Sequence, residues 1–139
     1  MGNSNGDALE AATVADLVSK GKTLEQALAE VPELSRMFIW WNARNMMDPP
    51  KQNDATSGTY NRHAMTSLSM FGCPPEKYWP YDPALATTRP SITSFRYARR
   101  FVSGNFYAIN TTDMNKRAEQ VIKALKANQN VVFGTALPT

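Results

Sequence analysis

Apolar residues at helical spacing form the clearest pattern in this chain. In the middle of the sequence, Tyr60, Ala64, Leu68 and Phe71 recur at intervals of four, four and three residues. Side chains at these intervals lie on one face of a helix. We therefore predict a helix in this region with one buried face.

A glycine and two prolines predict where that helix ends. Gly72 stands where a helix C-terminus favours a residue that tolerates positive φ, and Pro74 and Pro75 prevent the helix from continuing. Aromatic residues then surround Pro80. Because large rings are seldom left in water, we predict an extended segment that packs against apolar surface.

Two helices are predicted near the N-terminus. Asp7 is expected to cap, or to lie in the first turn of, a helix that runs to about Ser19. Thr23 and Gln26 have the spacing of a capping box, which predicts that a second helix begins there.

Three further helices are predicted, and they differ in their apolar patterns. From Leu34 to about Met47 the apolar positions are too widely distributed for a single stripe, so this helix should be covered on more than one side. Ser91 is expected to cap a short basic helix. Thr112 is expected to cap a last, amphipathic helix.

Two segments have the pattern of β-strands. Phe101 to Asn110 alternates apolar side chains on two faces, and Val131 to Leu137 is a short, mostly apolar run. The second strand would present an apolar edge, which favours pairing with another segment or chain. We predict a protein partner, or a homo-oligomer, at the edge formed by Val131, Val132 and Phe133.

Three blocks of the sequence carry a family resemblance. They are ELSRMFIWWNARN (residues 33–45), FGCPPEKYWPYD (residues 71–82) and DMNKRAEQVIKALKANQNVVFGTAL (residues 113–137). Together, and in this order, they resemble the papain-like cysteine peptidases, especially the bacterial and phage members. The resemblance implies an α+β fold with a mostly helical half (residues 1–83) and an incomplete β-barrel half (residues 91–139). We expect a single domain over residues 1–139, truncated at its C-terminal end.

The resemblance also implies where catalytic groups would stand. In papain-like peptidases the cysteine nucleophile begins the long first helix and follows a Gln-Gly loop that supplies an oxyanion donor. In this alignment, Gly2 matches the family glycine, Met1 the glutamine and Asp7 the cysteine. The nucleophile and the side-chain oxyanion donor would then both be missing. The strands that carry the family's histidine would follow residue 137, so we expect no catalytic site.

The only histidine and the only cysteine have structural interpretations. His63 lies in a predicted helix, and nothing around it in the sequence suggests a metal cluster. Cys73 matches a cysteine of the family's GxCPE-like segment that is not the nucleophile, and we predict that it is a small buried residue. No metal and no cofactor are predicted.

Composition narrows the remaining possibilities. The net charge of +3 is mildly basic, and a single cysteine excludes an internal disulfide. No apolar run approaches the ~20 residues of a membrane span, and no signal-peptide layout is visible. We expect a soluble protein of the cytoplasm or, for a phage protein, of the virion.

A nucleic-acid adaptor is the third and least favoured hypothesis for the function of this chain. It would use the basic residues Arg96, Arg99, Arg100, Lys116 and Arg117.

Aromatic residues supply one further binding prediction. Aromatic clusters line ligand grooves in some proteins, but more often they form part of the hydrophobic core. The predicted binding residues are Trp40, Trp41, Tyr78, Trp79 and Tyr81.

These observations favour one function and leave one alternative. The favoured hypothesis is an inactive papain-like domain that serves as a structural or protein-binding part of a larger assembly, such as a phage particle. The alternative is a segment of an active cysteine peptidase whose histidine comes from another segment or chain.

Overall fold

Helices make up the regular structure of this protein. The structure is a computed structural model that describes residues 2–134, and the side chains of residues 4–134. Within that range the helices are α1 (Gly2–Ser19), α2 (Leu24–Glu30), α3 (Arg36–Asn45), α4 (Asn61–Met70), α5 (Ile92–Ala98) and α6 (Met114–Lys126). Two short 3₁₀ turns span Glu76–Tyr78 and Pro83–Leu85. None of these helices is both long and apolar enough to cross a membrane.

The predicted β-barrel half is absent from the described residues. Residues 102–111 and 129–134 contain no strand, and the isolated β-bridge between Leu34 and Pro75 is the one bridge found in residues 2–134. The prediction of an α+β fold with an incomplete barrel is therefore wrong. Alternating side chains suit a strand, but a strand forms only where a neighbouring backbone completes its hydrogen bonds. Residues 135–137 of the second predicted strand lie outside the described range.

Helix α1 begins earlier than predicted. It starts at Gly2, so Asp7 lies more than one turn inside the helix and is neither its cap nor part of its first turn. Asn5 and Gly6 are buried, and a Cβ atom at Gly6 would lie 3.6 Å from the Cδ1 atom of Ile39. Packing against α3 therefore stabilises a first turn that the local sequence does not indicate.

The other helix ends follow mostly from local sequence. The capping box of Thr23 and Gln26 is confirmed, and the Ser91 hydroxyl accepts a hydrogen bond from the backbone of its own helix. At α6 the predicted cap is wrong, because Asp113 rather than Thr112 is the N-cap. The Asp113 carboxylate accepts two backbone N–H bonds, which a threonine hydroxyl would do less well.

Helix α3 forms the centre of the core, as its broad apolar pattern predicts. It packs against α1 and α4, and seven of its residues are buried. One side belongs to a core cluster with α1 and α4, and the other packs with α5 and the segment after α4. The buried residues of α3 are Met37, Phe38, Ile39, Trp41, Asn42, Ala43 and Arg44.

The turn after α4 packs tightly against the end of α5. Gly72 has φ of +74°, as the sequence predicts for the residue that ends this helix. A Cβ atom at Gly72 would overlap the carbonyl oxygens of Ala98 and Phe101. The Cys73 N–H donates to that same Phe101 oxygen over 2.9 Å. Close backbone approach here therefore requires glycine.

Two aromatic predictions in this region are wrong. Tyr60 was expected on the buried face of α4 and Tyr81 in a covered segment, yet each is 66% exposed. The segment before Pro80 is a 3₁₀ turn rather than an extended run. The hydroxyl group of a tyrosine remains hydrated at the surface, so its ring tolerates exposure to water. The indole of Trp79 in the same segment is buried.

Arg44 is a fully buried arginine that connects two loops. Its guanidinium group donates to the carbonyl oxygens of Asp54 and Ala86, which lie in the loops before α4 and before α5. The guanidinium carbon also lies 3.6 Å from the centre of the Trp40 ring. Burial lowers the pKa of Arg44, and these contacts compensate for part of its lost hydration.

Candidate functional site

A groove of about 480 Å³ lies between the start of α1 and the segment after α6. We call it the Asp7 groove. It brings together two predictions that the sequence made separately, since Asp7 lies in it with the residues of the predicted partner edge. Its lining residues are Ser4, Asp7, Ala8, Leu125, Asn130, Val131, Val132 and Phe133.

The turn after α6 directs the chain back to α1. Asn128 has φ of +55°, and the Gln129 N–H donates to the carbonyl oxygen of Ala124. The Asn128 N–H donates to that of Leu125. Together these bonds form a Schellman motif, with asparagine in the position that glycine usually takes. The motif reverses the chain and brings residues 130–133 to the side of α1.

One hydrogen bond fixes the returning segment to α1. The Asn130 side-chain amide donates to the backbone carbonyl oxygen of Ala8 over 2.9 Å. Val131 and Val132 are half-buried beside it, whereas Phe133 is 76% exposed and Leu125 at the end of α6 is 55% exposed. The groove thus has an anchored wall with an apolar, solvent-facing rim.

Asp7 places a carboxylate at the groove, on the exposed side of α1. A carboxylate accepts hydrogen bonds, and it can bind cationic or N–H groups of a ligand. The field of a helix N-terminus is strongest in the first turn. Because α1 begins at Gly2, the Asp7 side chain lies beyond that turn. Met1, the predicted counterpart of the oxyanion glutamine, lies outside the described residues.

A second carboxylate, Glu10, lies one turn further along α1. One of its oxygens accepts the backbone N–H of Leu34 over 2.7 Å and so connects α1 to the start of α3. Burial raises the pKa of Glu10, and the neighbouring charges of Asp7 and Glu33 raise it further. No local sequence signal predicts this interaction, because the partner is a backbone group remote in sequence.

The cysteine is remote from the groove and unsuited to nucleophilic chemistry. Cys73 is fully buried, and its thiol donates to the backbone carbonyl oxygen of Ser35 over 3.2 Å. Burial raises the pKa of the Cys73 thiol far above its usual value, so it remains protonated near neutral pH. The prediction of a small buried residue is confirmed.

His63 does not belong to the groove lining either. It is half-buried on α4, where its ring makes an edge-on contact with Tyr60 at 5.7 Å between centroids. This agrees with its interpretation as a helix residue. Within the described part of the chain, no group of three or more His, Cys, Asp or Glu side chains is placed to hold a metal ion.

The five predicted aromatic binding residues lie in different environments. The Trp40 indole N–H donates to the backbone of Ser57, while Trp41 and Trp79 are buried. Tyr81 faces solvent. Tyr78 lines a second cavity, of about 470 Å³, and none of the other four lines that cavity or the Asp7 groove. The structure therefore does not gather them at one groove, and ligand binding by them stays a prediction.

This second cavity has an ordered aromatic wall. The rings of Tyr78 and Tyr97 stack with centroids 3.7 Å apart. The Lys77 ammonium lies 5.0 Å from the Tyr78 ring, and the Arg100 guanidinium lies 4.9 Å from the Tyr97 ring. Since each tyrosine covers one face of the other, the two cations flank the pair from outside. The adjacent Tyr78 side chain raises the pKa of Tyr97.

A similar protein sequence and a similar solved structure are known for this chain. No model of a known protein family matches the chain. It is 28% identical over 103 residues to a peptidase C1-like protein from Acanthamoeba polyphaga mimivirus, a match that covers 72% of this chain and 32% of that protein. The solved structure of xylellain, a cysteine protease from Xylella fastidiosa, matches with a TM-score of 0.52 and 24% identity, over 76% of this chain and 41% of that one.

The chain is related to papain-like peptidases. The sequence match supports the relationship, and the structural match shows a shared fold over the part that is aligned. The chain spans about a third of the length of the viral protein and about two fifths of the xylellain chain. The resemblance inferred from three sequence blocks is thus confirmed at the level of a papain-like relationship.

Several residues of these sites had no counterpart in the sequence predictions. Asn130 and Glu10 act through backbone groups far away in sequence, and Tyr97 meets Tyr78 only after α5 has packed. The one usable signal was Asn128, an asparagine at the end of an amphipathic helix. It predicts a chain reversal, although not the surface to which the chain returns.

Proposed function

We propose that this chain is a catalytically inactive papain-like domain that serves as a protein-binding module in a larger assembly, such as a phage particle. The observation that carries the proposal is Asp7, a carboxylate at the position that the resemblance assigns to the nucleophile. Papain-like hydrolysis begins with attack by a thiolate, and Asp7 has no thiol.

Two further observations support inactivity. The thiol of Cys73 is buried and protonated, so it is not a substitute nucleophile. A cysteine at position 7 would also lie beyond the first turn of α1 and would gain little thiolate stabilisation from the helix terminus. The site therefore lacks both the nucleophile and one usual means of activating it.

The rim of the Asp7 groove supports a binding role. Leu125 and Phe133 are large apolar residues that face solvent, and Asp7 lies in the same groove. Apolar surface rimmed by polar groups is typical of protein contacts. We propose that a protein partner covers Val131, Val132 and Phe133 as the apolar wall of this groove, rather than as the edge of a sheet.

A peptidase assay tests inactivity. We expect no thiol-dependent cleavage of a mixed fluorogenic peptide library by the protein as isolated from its source, together with its co-purifying chains. Cleavage that is lost on thiol alkylation would overturn the proposal. The Asp7→Ala variant is the matched control, since it removes the carboxylate without adding a nucleophile.

Native mass spectrometry of the same material tests the binding role. We expect a defined complex that contains this chain, and we expect Phe133→Ser to weaken it. A protein that stays monomeric when isolated gently from its source would contradict the binding role. The identity of the co-purifying chains would show whether this protein belongs to a virion or to the cytoplasm.

The alternative is a segment of an active cysteine peptidase. The coverage of the relatives favours it, because this chain matches only 32% of the viral protein. Under this alternative, Asp7→Cys combined with a second segment that carries a histidine gives thiol-dependent hydrolysis. If that combination is inactive while both segments are folded and bound, the alternative fails.

A further inference from the structure

The rings of Tyr78 and Tyr97 form an unusually close aromatic pair beside the second cavity. Their centroids lie 3.7 Å apart, and the angle between their planes is 11°. Aromatic pairs in proteins usually have centroids about 4.5–7 Å apart, so carbon atoms of these two rings are in van der Waals contact. Both residues are half-buried, and both line the cavity of about 470 Å³. The pair can therefore be reached from the cavity.

Hydrogen bonds fix the turn that carries Tyr78 to the helix that carries Tyr97. The Ser94 hydroxyl, in the same helix as Tyr97, donates to the carbonyl oxygen of Tyr78 over 2.9 Å. Just after that helix, the Phe101 carbonyl oxygen accepts the N–H of Cys73 over 2.9 Å. The two rings are thus held in contact by the folded chain, and a reaction between them needs no diffusive encounter.

The other three tyrosines lack such a contact. Tyr60 and Tyr81 are each 66% exposed, and Tyr107 is 81% exposed. Within residues 4–134, the stack of Tyr78 on Tyr97 is the one contact between two tyrosine rings. Exposure favours reactions of the other three with separate molecules, whereas contact favours a reaction inside the pair.

Two phenols in contact have a characteristic reaction under one-electron oxidation. A tyrosine phenol is protonated near neutral pH, so each ring loses an electron to the oxidant and its phenolic proton to water. The two neutral radicals then combine through a bond between ring carbons that are ortho to oxygen. The hydrogen on each bonded carbon moves to oxygen through water, which restores both phenols. The net change is the loss of two protons and two electrons.

Two cations beside the pair favour this route. The Lys77 ammonium lies 5.0 Å from the Tyr78 ring, and the Arg100 guanidinium lies 4.9 Å from the Tyr97 ring. A neighbouring like charge disfavours the cationic form of an oxidised ring. Proton loss therefore accompanies electron loss, and the neutral radical that couples is the favoured product.

We propose that Tyr78 and Tyr97 form an oxidative crosslinking site, at which a one-electron oxidant such as a peroxidase with hydrogen peroxide joins the two rings into dityrosine. The oxidant is external, and the chain supplies the positioned phenols. The bond would connect the turn after α4 to α5 and stabilise the fold by restricting the unfolded chain, as a disulfide does. The site uses no residue of the Asp7 groove and does not depend on the proposed function.

Photo-oxidation of the wild-type protein provides the test. Tris(bipyridyl)ruthenium(II), visible light and persulfate generate a one-electron oxidant in solution. We expect a monomeric product that has lost the mass of two hydrogen atoms and shows dityrosine fluorescence. Tandem mass spectrometry of a proteolytic digest should place the link between Tyr78 and Tyr97.

Phenylalanine variants remove one phenol and keep the ring. Tyr78→Phe and Tyr97→Phe should each abolish the intramolecular link, because a phenyl ring has no phenolic proton to lose. Tyr81→Phe, at an exposed position of the same segment, is the matched control and should crosslink as the wild type does. Because both variants of the pair retain the stacked ring, their helical circular dichroism should match that of the wild type.

Denaturation and dilution show whether the fold positions the pair. In concentrated guanidinium chloride the rings separate, so the link should be lost, whereas dilution of the native protein should leave its yield unchanged. Four outcomes would overturn the proposal. They are a monomer without dityrosine, a link that persists in Tyr78→Phe or Tyr97→Phe, an equal yield in denaturant, and a yield that falls on dilution because separate chains react with each other.

Discussion

The side-chain amide of Asn130 donates a hydrogen bond to the backbone carbonyl oxygen of Ala8, although 122 residues separate them in sequence. It closes the Asp7 groove, because residues 130–133 form one wall and α1 forms the other. No other side-chain hydrogen bond joins residues 130–134 to the rest of the described chain. The position of this wall therefore depends on a single polar contact.

Replacing Asn130 should release the wall without unfolding the protein. In Asn130→Ala, we expect hydrogen exchange of residues 130–134 to accelerate while the free energy of unfolding changes by no more than about 1 kcal/mol, since one exposed hydrogen bond is lost. Gln129→Ala is the matched control. A large loss of global stability would show that the segment belongs to the core.

Two glycines with positive φ should respond differently to alanine. Gly21→Ala meets no atom within 4 Å and carries only the strain of φ at +97°, about 1 kcal/mol. Gly72→Ala adds overlap with the carbonyl oxygens of Ala98 and Phe101, so we expect a loss of more than about 2 kcal/mol. Chemical denaturation of both variants measures the difference. Equal losses would mean that the chain around Gly72 shifts without cost.

Removing the Arg44 guanidinium should destabilise the fold strongly. Arg44→Met retains most of the buried volume but leaves the carbonyl oxygens of Asp54 and Ala86 without their donor. We expect a loss on the order of 2–4 kcal/mol in the free energy of unfolding. The exposed Arg62→Met serves as the control and should change stability by less than about 0.5 kcal/mol. A neutral Arg44→Met would mean that water replaces the guanidinium.

Burial of Cys73 should make its thiol unreactive in the folded protein. Because burial raises the pKa of Cys73, we expect alkylation only when the protein opens, at a rate that rises with denaturant. The exposed position of Thr88→Cys, placed on a Cys73→Ala background, is the control and should react immediately. Rapid labelling of Cys73 in native buffer would contradict the proposed inertness.

The carboxyl group of Glu10 should produce a specific pH dependence. Its pKa is raised above the usual 4.5, so the folded state favours the protonated form. Its contribution to stability is then fully present below pH 4.5 and is lost as the pH rises through the folded pKa. Relative to the wild type, Glu10→Gln should therefore gain stability as the pH rises above 4.5. A pH-independent difference between the two proteins would refute the raised pKa.

Local signals predicted most of the helical core. Capping residues at Thr23 and Ser91, the broad apolar pattern of α3 and the positive φ of Gly72 all depend on a few neighbouring residues or on simple burial. Such features can be recognised in a sequence before the fold is known. The papain-like relationship was also recognisable, because three blocks occur in the family's order.

Features that depend on distant partners were not predictable in the same way. The alternation in residues 101–110 suggested a strand, but the described backbone bonds to it only at Phe101 and Ser103, and no strand forms there. The start of α1 was missed because the local sequence does not indicate it, whereas in the fold Gly6 packs near Ile39 of α3. Asp7 and residues 130–133 line one groove because α6 and its Schellman turn bring residues 130–133 back to α1, and no local signal in the sequence indicates this proximity.

The two bonds of the Arg44 guanidinium also constrain how this family of sequences can vary. One arm reaches Asp54 and the other reaches Ala86, so each loop must present a carbonyl oxygen at a fixed place. An insertion or deletion in either loop would displace its acceptor. Homologous chains that keep this arginine should therefore keep the lengths of both loops, and chains that replace it should be free to vary them.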